Sequence, residues 1–399
     1  MLEALPARAF GVALPGAARA ACSVGVSQDL EALRDAWTAL EARAGGGVFQ
    51  SYAWCRAWED AARRAGCRQT PRIVTVHQDG HLVLLWPLAI RRLGPLRVLR
   101  SFGEPATQNA DALVAPGAER AEWLAAAWRG VRAMRDVDAV LLRGVREDAA
   151  IAPLVATRGR FATRETEAPF CDFRSEGARR RSGRTRNALQ RNLRHLAEAG
   201  PVMFEVVAPE GRAGAMAEAL RLKHAWLRRT GRFSAGYAHP ANAAFLRGVA
   251  ECPNALILRL TVGGETAAIE AGLIHQGTYA SLVQAYEARH AAFGPGRLLF
   301  RHMVDHAADL GIAVLDFLAP ASRHKSEWAS GAVRVRDYAV PLRLRGWMLL
   351  AYVRHLRPRA KAWRERVGAA LKGFGRRPRG EAHARGAGLV ETGPGERSG

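Results

Sequence analysis

The stretch FGPGRLLFRHMVDHAADLGIAVLDF, residues 293–317, sets two glycines around a proline directly before a helical pattern and ends in a short apolar strand. Gly294 and Gly296 leave the helix entrance bare, which suits either a tight turn or the approach of an anion to first-turn N–H groups. The helical spacing covers 297–310, and AVLDFL (313–318) reads as a buried strand. Upstream, ALILRLTV (255–262) and ETAAIEAGLIH (265–275) flank Gly263-Gly264, and TYASLVQAY (278–286) follows a Gln276-Gly277 turn. A three-strand meander therefore feeds the helix.

The same order of elements occurs earlier in the chain. RIVTVHQ (72–78) and HLVLLWPLAI (81–90) flank Asp79-Gly80, followed by strands at 95–103 and 111–115, a helix over 118–134 and a strand at 138–145. A short helix near 147–157 and a strand at 161–173 close this half. Helices are expected over 26–44, from the spacing of Leu30, Leu33, Trp37 and Leu40, and over 49–66, capped by Ser51. The second half adds a helix at 215–231 and a last strand at 333–344. This is an internal duplication of element order with little residue identity.

The chain has 399 residues, 49% of them apolar, enough for two cores. No apolar run reaches the roughly 18 residues needed to span a bilayer. The N-terminus carries Glu3 where a signal peptide needs positive charge, and Arg8, Pro15 and Arg19 interrupt it, so a cytoplasmic protein is expected. Five scattered cysteines without a C-x-x-C pair indicate reduced thiols. Lys+Arg of 59 against Asp+Glu of 37 gives +22, which favours anionic partners. Residues 174–200 hold eight arginines against two glutamates, and 342–379 hold twelve Lys/Arg against Glu365 alone. The latter mixes Trp347, Leu349, Leu350, Trp363 and Val367 with arginines, as a basic amphipathic surface would, or a helix packed on its own domain.

The order meander, GPGRLL, helix, Gly311 and a strand ending LDFL resembles the acyl-CoA-binding core of the GNAT acyltransferases. More narrowly it resembles the doubled GNAT-like proteins of the cellulose-biosynthesis CelD type, related to the FemAB peptidyltransferases. Besides the glycine turn the resemblance rests on FQSYAWCRAW (49–58), QRNLRHLAEAG (190–200) and DFLAPASRHKSEW (316–328), and it covers roughly 48–342. Where the GNAT turn usually has Gln or Arg three residues before its first glycine, this chain has Ala291. The resemblance implies an α/β fold of two tandem GNAT-like domains, each a mixed twisted sheet flanked by helices. Domain 1 (26–175) would form the acceptor side and domain 2 (201–345) the acyl-CoA side. A flexible N-terminus (1–25), a basic linker helix (176–200), basic amphipathic helices (346–375) and a disordered tail (376–399) complete the expected organisation.

The implied activity is acyl transfer from acyl-CoA to an amine or hydroxyl of a saccharide-type acceptor in exopolysaccharide or cell-envelope biosynthesis, without a metal. The enzyme would be cytoplasmic or peripheral to the inner membrane, with 346–379 as the membrane-surface or synthase contact. Gly294 and Gly296 with the N–H groups of Arg297, Leu298 and Leu299 would hold the donor's diphosphate. Lys325 matches a lysine that in FemAB-like relatives stabilises developing negative charge or holds a phosphorylated substrate; otherwise it is a surface lysine beside Trp328. Glu270, a carboxylate amid alanines, is the candidate base for removing a proton from an amine, or else faces solvent. Asp316 and Tyr286 are further catalytic candidates, Tyr286 as the proton donor to a departing thiolate, and His275 a weaker one. Asp111, Trp54 and Trp328 are candidate substrate contacts. In the first half the helix entrance after Pro116-Gly117 lacks paired glycines and carries Glu119, which disfavours a phosphate. His302, Asp305 and His306 have helical metal-ligand spacing without an evident third ligand. Two alternatives remain: a FemAB-like aminoacyl-tRNA-dependent peptidyltransferase, and a non-catalytic accessory of a membrane polysaccharide synthase.

Overall fold

All three hairpin turns marked by residue pairs adopt left-handed backbone: Asp79 and Gly80 (φ 51° and 78°), Gly263 and Gly264 (58° and 81°), Gln276 and Gly277 (49° and 74°). Positive φ at both central positions matches the twist of the flanking strands, and glycine in second place removes the Cβ penalty. The computed structural model describes residues 22–44, 46–67, 69–175, 183–356 and 359.

The strands are β1 (Cys22–Ser27), β2 (Thr70–Gln78), β3 (His81–Leu93), β4 (Leu96–Ser101), β5 (Leu113–Val114), β6 (Ala139–Arg146), β7 (Ala162–Asp172), β8 (Val202–Val206), β9 (Ala255–Val262), β10 (Glu265–His275), β11 (Thr278–Tyr286), β12 (Val314–Asp316) and β13 (Gly331–Pro341). The helices are α1 (Arg34–Ala44), α2 (Tyr52–Arg64), α3 (Arg120–Ala133), α4 (Ala152–Ala156), α5 (Gly183–Ala197), α6 (Arg212–Thr230), α7 (Asn242–Ala250), α8 (Pro295–Asp305), α9 (Arg323–Ser326) and α10 (Gly346–Ala351). Three elements depart from expectation. The segment expected to begin a helix at Val26 starts as edge strand β1, and Asp29 then caps the turn by accepting from the N–H groups of Glu31 and Ala32. Strand β8 and helix α7 add to the second half.

The two halves join in one mixed sheet of order β1-β2-β3-β4-β6-β13-β7-β12-β11-β10-β9-β8, with β5 paired to β3. Their closing strands are exchanged: β13 from the second half pairs with β6, and β7 from the first pairs with β12. Each half thereby completes the sheet of the other. Helices α2 and α7 tie them further, with Phe245 edge-on to Trp54 (4.7 Å) and Trp58 (5.2 Å).

On one face of the second half, Leu256, Leu258, Leu260 and Val262 of β9 pack with Leu298, Leu299, Phe300 and Met303 of α8 and with Leu189 and Leu196 of α5. Helix α6 covers the opposite face, against β10 and β11. Strands β11 and β12 pair in parallel over only Thr278–Val314, Tyr279–Leu315 and Ala280–Asp316. Beyond Ala280, β11 runs on to Tyr286 while β12 has ended, so the sheet opens into a wedge. A bulge at Leu282, between the pairs Gly272–Ser281 and Ala271–Val283, bends β11 there.

Described residues up to Leu350 form one compact unit, and a second begins at Ala351, of which Tyr352–Leu356 is a π-helical turn. Residues 1–21, 176–182 and most of 346–399 lie outside the described set, and with them most of the basic C-terminal helices and the tail. Among the described residues no helix is long and apolar enough to cross a membrane.

Candidate active site

The wedge opens into a cavity of about 680 Å³. Ser281, Leu282 and Gln284 of β11 line it, with Phe300 of α8, and Phe317, Leu318 and the SRHK turn at 322–325 beyond β12. Lys223 and Trp226 of α6 and the following loop, including Arg232 and Tyr237, form the wall on the other face. Trp54, Pro105, Ala106 and Gln108 close it from the first half.

Glu270 lies on β10 directly behind Ser281. It is fully buried and accepts hydrogen bonds from Ser281 Oγ (2.5 Å) and Tyr279 Oη (3.3 Å). Gly272 makes this possible, because a Cβ there would overlap the Tyr279 ring and the Ala280 carbonyl. Burial pushes the Glu270 carboxyl up to about 8 against those hydrogen bonds and the charges of Lys223 and Lys325. The carboxylate does not itself reach the cavity wall; Ser281 connects the two.

Lys325 lines the cavity and donates from Nζ to the carbonyls of Leu318 (2.8 Å) and Pro320 (3.1 Å). Burial draws its ammonium down to about 8, opposed by Asp316 and Glu270. Leu318 is buried in left-handed backbone (φ 59°), a conformation that costs a non-glycine residue about 1–3 kcal/mol. Asp316 Oδ1 accepts from its N–H (2.8 Å) while Lys325 takes its carbonyl, so the two residues brace one corner of the wedge. Asp316 Oδ2 meets Arg146 at 2.8 Å, and burial raises its carboxyl. Asp316 therefore braces the wedge from beneath and lines a smaller cavity of about 240 Å³.

At the start of α8, Gly294 is left-handed (φ 59°) and the N–H groups of Arg297 and Leu298 both donate to its carbonyl (2.9 and 3.2 Å). The side chains of Leu298 and Leu299 are core. In this conformation the donors expected at 297 and 298 are engaged within the helix. Two other buried donors stand there without partners among the described residues, Gln284 Nε2 and Arg297 Nε. A Cβ on Gly296 would lie 3.5 Å from Gln284 Nε2, so the bare glycine keeps this approach open. Orphaned donors at a helix entrance fit an anionic group such as the diphosphate of acyl-CoA. Arg297 Nη2 is held by Glu327 at 3.2 Å.

Other expected site residues lie elsewhere. Tyr286, at the end of β11, is off the cavity wall and its hydroxyl meets Arg229 at 3.4 Å. Asp111 faces the smaller cavity and accepts from the N–H groups of Ala112, Ala150 and Ile151; burial pushes its carboxyl up to about 6. These bonds tie its own turn to that at 150–151. Trp328 is 1% exposed beneath Phe300, in the core and off the cavity. Trp54 does line the cavity, is 2% exposed and donates from Nε1 to Thr107 Oγ1 (2.8 Å). His275 lines the smaller cavity near Glu41. His302 stacks on Phe204 and beside His306, and among the described residues no group of three or more His, Cys, Asp or Glu could hold a metal. Sequence reading overlooks Ser281, Gln284, Lys223, Trp226 and Arg232, whose types and spacing match ordinary solvated or strand positions.

The first half repeats the wedge but fills it. Strands β4 and β6 pair in parallel over Val98–Ala139, Leu99–Val140 and Arg100–Leu141, as β11 and β12 do. Past that point Ala110 N–H donates to the carbonyls of Arg143 (3.1 Å) and Gly144 (3.3 Å), so the chain's own loop occupies the gap.

Residues 183–326 match the family model described as an acetyltransferase (GNAT) domain. No curated protein matches the chain. A solved structure of FemX is similar with a TM-score of 0.55 and 12% identity, covering 79% of this chain and 97% of that one. A conserved protein of unknown function from Bacteroides thetaiotaomicron gives a TM-score of 0.50 and 11% identity over 80% and 100%. A tandem GNAT protein from the clavulanic acid biosynthesis pathway gives 0.43 and 15% over 81% and 99%. At these identities the first two structures speak to the fold alone. The matched segment supplies the wedge, α8 and Lys325, and the enzyme class expected from the sequence, an N-acyltransferase, stands on it.

Proposed function

We propose that the chain moves an acyl group from acyl-CoA to an amine or hydroxyl of a saccharide-type acceptor in exopolysaccharide or envelope synthesis. The observation that carries this reading is the wedge between β11 and β12 with Glu270 and Ser281 on one side and Lys325 on the other. The donor would lie in the wedge with its diphosphate toward Gln284, Gly296 and Arg297. Resemblance to the CelD type favours a saccharide acceptor. The two halves, 26–175 and 201–345, would act as acceptor and donor sides of one enzyme.

In this mechanism the attacking amine gives its proton to Ser281, which passes its own to the Glu270 carboxylate. Its nitrogen forms a bond to the thioester carbon, and the carbon–sulfur bond then breaks. The ammonium of Lys325 faces the negative charge that develops on the carbonyl oxygen and then on sulfur and gives the departing thiolate its proton; Glu270 releases the amine's proton to solvent and Lys325 regains one from it, which restores both groups. Positioning and electrostatics supply the acceleration, and no covalent enzyme intermediate is needed.

The test follows label from [¹⁴C]acetyl-CoA onto amino sugars, with charged tRNA as a parallel donor. Label appearing on an amino sugar, and lost in Glu270→Gln, supports the reading. Transfer from charged tRNA alone would replace it with the aminoacyl-tRNA alternative.

A further inference from the structure

The cavity wall is one-sided in charge. Among the described residues that line it, four are cationic (Lys223, Arg232, Arg323 and Lys325) and none is Asp or Glu. The donor's phosphates account for part of this demand, but they belong at the α8 entrance. Lys223 and Arg232 lie on the α6 wall, across the sheet from the α8 core. There both approach a single indole, with Lys223 Nζ 5.0 Å and Arg232 Cζ 5.3 Å from the centre of the Trp226 ring. Lys223 is half-buried and donates to the Gln284 carbonyl at 3.0 Å, and its Nζ is also 5.7 Å from the Tyr237 ring. Neither cation has an ion-pair partner among the described residues, although 24% of the chain is charged. Glu270 lies buried behind the wall, so neither cation meets a carboxylate on the cavity surface, and an oxyanion reached by both would gain charge-assisted hydrogen bonds.

We propose that the acceptor enters from the α6 wall and carries an oxyanion, a phosphate or carboxylate, gripped by Lys223 and Arg232 beside Trp226. The acceptor is thus an anionic saccharide-type molecule. This rests on the reading of the wedge as the donor's seat, since only that reading leaves the α6 wall to the acceptor. Phosphate and carboxylate share the chemistry of recognition and differ in the probe that reveals them.

The experiment titrates the full chain, with and without saturating acetyl-CoA, with inorganic phosphate, glucuronate and, as the uncharged control, glucose. Wild type should bind phosphate or glucuronate in the presence of acetyl-CoA, the tighter of the two identifying the anion, and glucose should bind neither way. Arg232→Gln should weaken anion binding by about tenfold while acetyl-CoA affinity stays within about twofold. Anion binding that acetyl-CoA abolishes, or that Arg232→Gln leaves unchanged, overturns the proposal. If acetyl-CoA is not taken up at all, the donor assignment falls. The comparison of wild type with Arg232→Gln on the free protein then still upholds or overturns the anion site.

Discussion

Replacing Glu270 by Gln should stabilise the protein at alkaline pH and disable it at the same time. The carboxyl is fully buried, with an ordinary value of 4.5 raised to about 8. An unfolded chain releases this proton near the ordinary value, whereas the folded chain holds it until about 8. Between these limits the folded state binds more protons, so rising pH erodes stability across that window and no further above it. At about 1.4 kcal/mol for each tenfold change in proton concentration, the erosion reaches a ceiling of about 5 kcal/mol. Gln keeps an acceptor for Ser281 Oγ and Tyr279 Oη but cannot ionise, so the variant should escape the erosion. Urea unfolding of wild type and variant at pH 5 to 9 reads the difference directly. It should be near zero at pH 5 and grow to several kcal/mol in favour of the variant by pH 8 to 9. Acyl transfer by the variant should fall by about 10² or more, the usual contribution of a general base. A stability difference that does not change with pH would refute the account of Glu270 as a desolvated carboxyl.

Further outcomes follow from neighbouring contacts. Transfer by wild type should rise as Glu270 ionises and fall as Lys325 loses its proton, giving a profile centred near pH 8; Lys325→Met should lower the maximum and remove the descending limb. Gly144→Ala should lose about 2–4 kcal/mol in denaturant unfolding, because φ is 70° and the new Cβ would overlap the Gln108 carbonyl; an unchanged midpoint would contradict the plugged first-half wedge. Asp316→Asn should cost about 1–3 kcal/mol, since Arg146 keeps Asp148 but loses its buried partner, and should lower transfer less than Glu270→Gln does.

Local chemistry made the second half readable. Residue pairs such as Gln276-Gly277 name their own turn, and the spacing of Leu298, Leu299 and Met303 names a buried helix face. The exchange of β7 and β13 was not readable, because alternation along a strand specifies which face is buried and says nothing of its neighbour. Val24 and Val26 in β1 were lost to the helical spacing that starts at Leu30, although Asp29 marks the true boundary. At the site, a carboxylate amid alanines drew attention to Glu270, while the serine that links it to the cavity sits on another strand. Asp111 has the type and loop setting of a ligand-binding acid, and its three backbone N–H donors, two of them some 40 residues away in sequence, could not be read from its neighbours. Lys223 and Arg232 resemble solvated helix and turn residues until the fold brings both against Trp226.

One wedge per chain is expected to seat an acyl-CoA, the second being filled by the chain itself. Calorimetric titration of the full chain with acetyl-CoA tests it most directly. Saturable uptake of one molecule per chain is expected, weakened when Gln284 is replaced by Leu. No uptake, or uptake of two molecules, would contradict it.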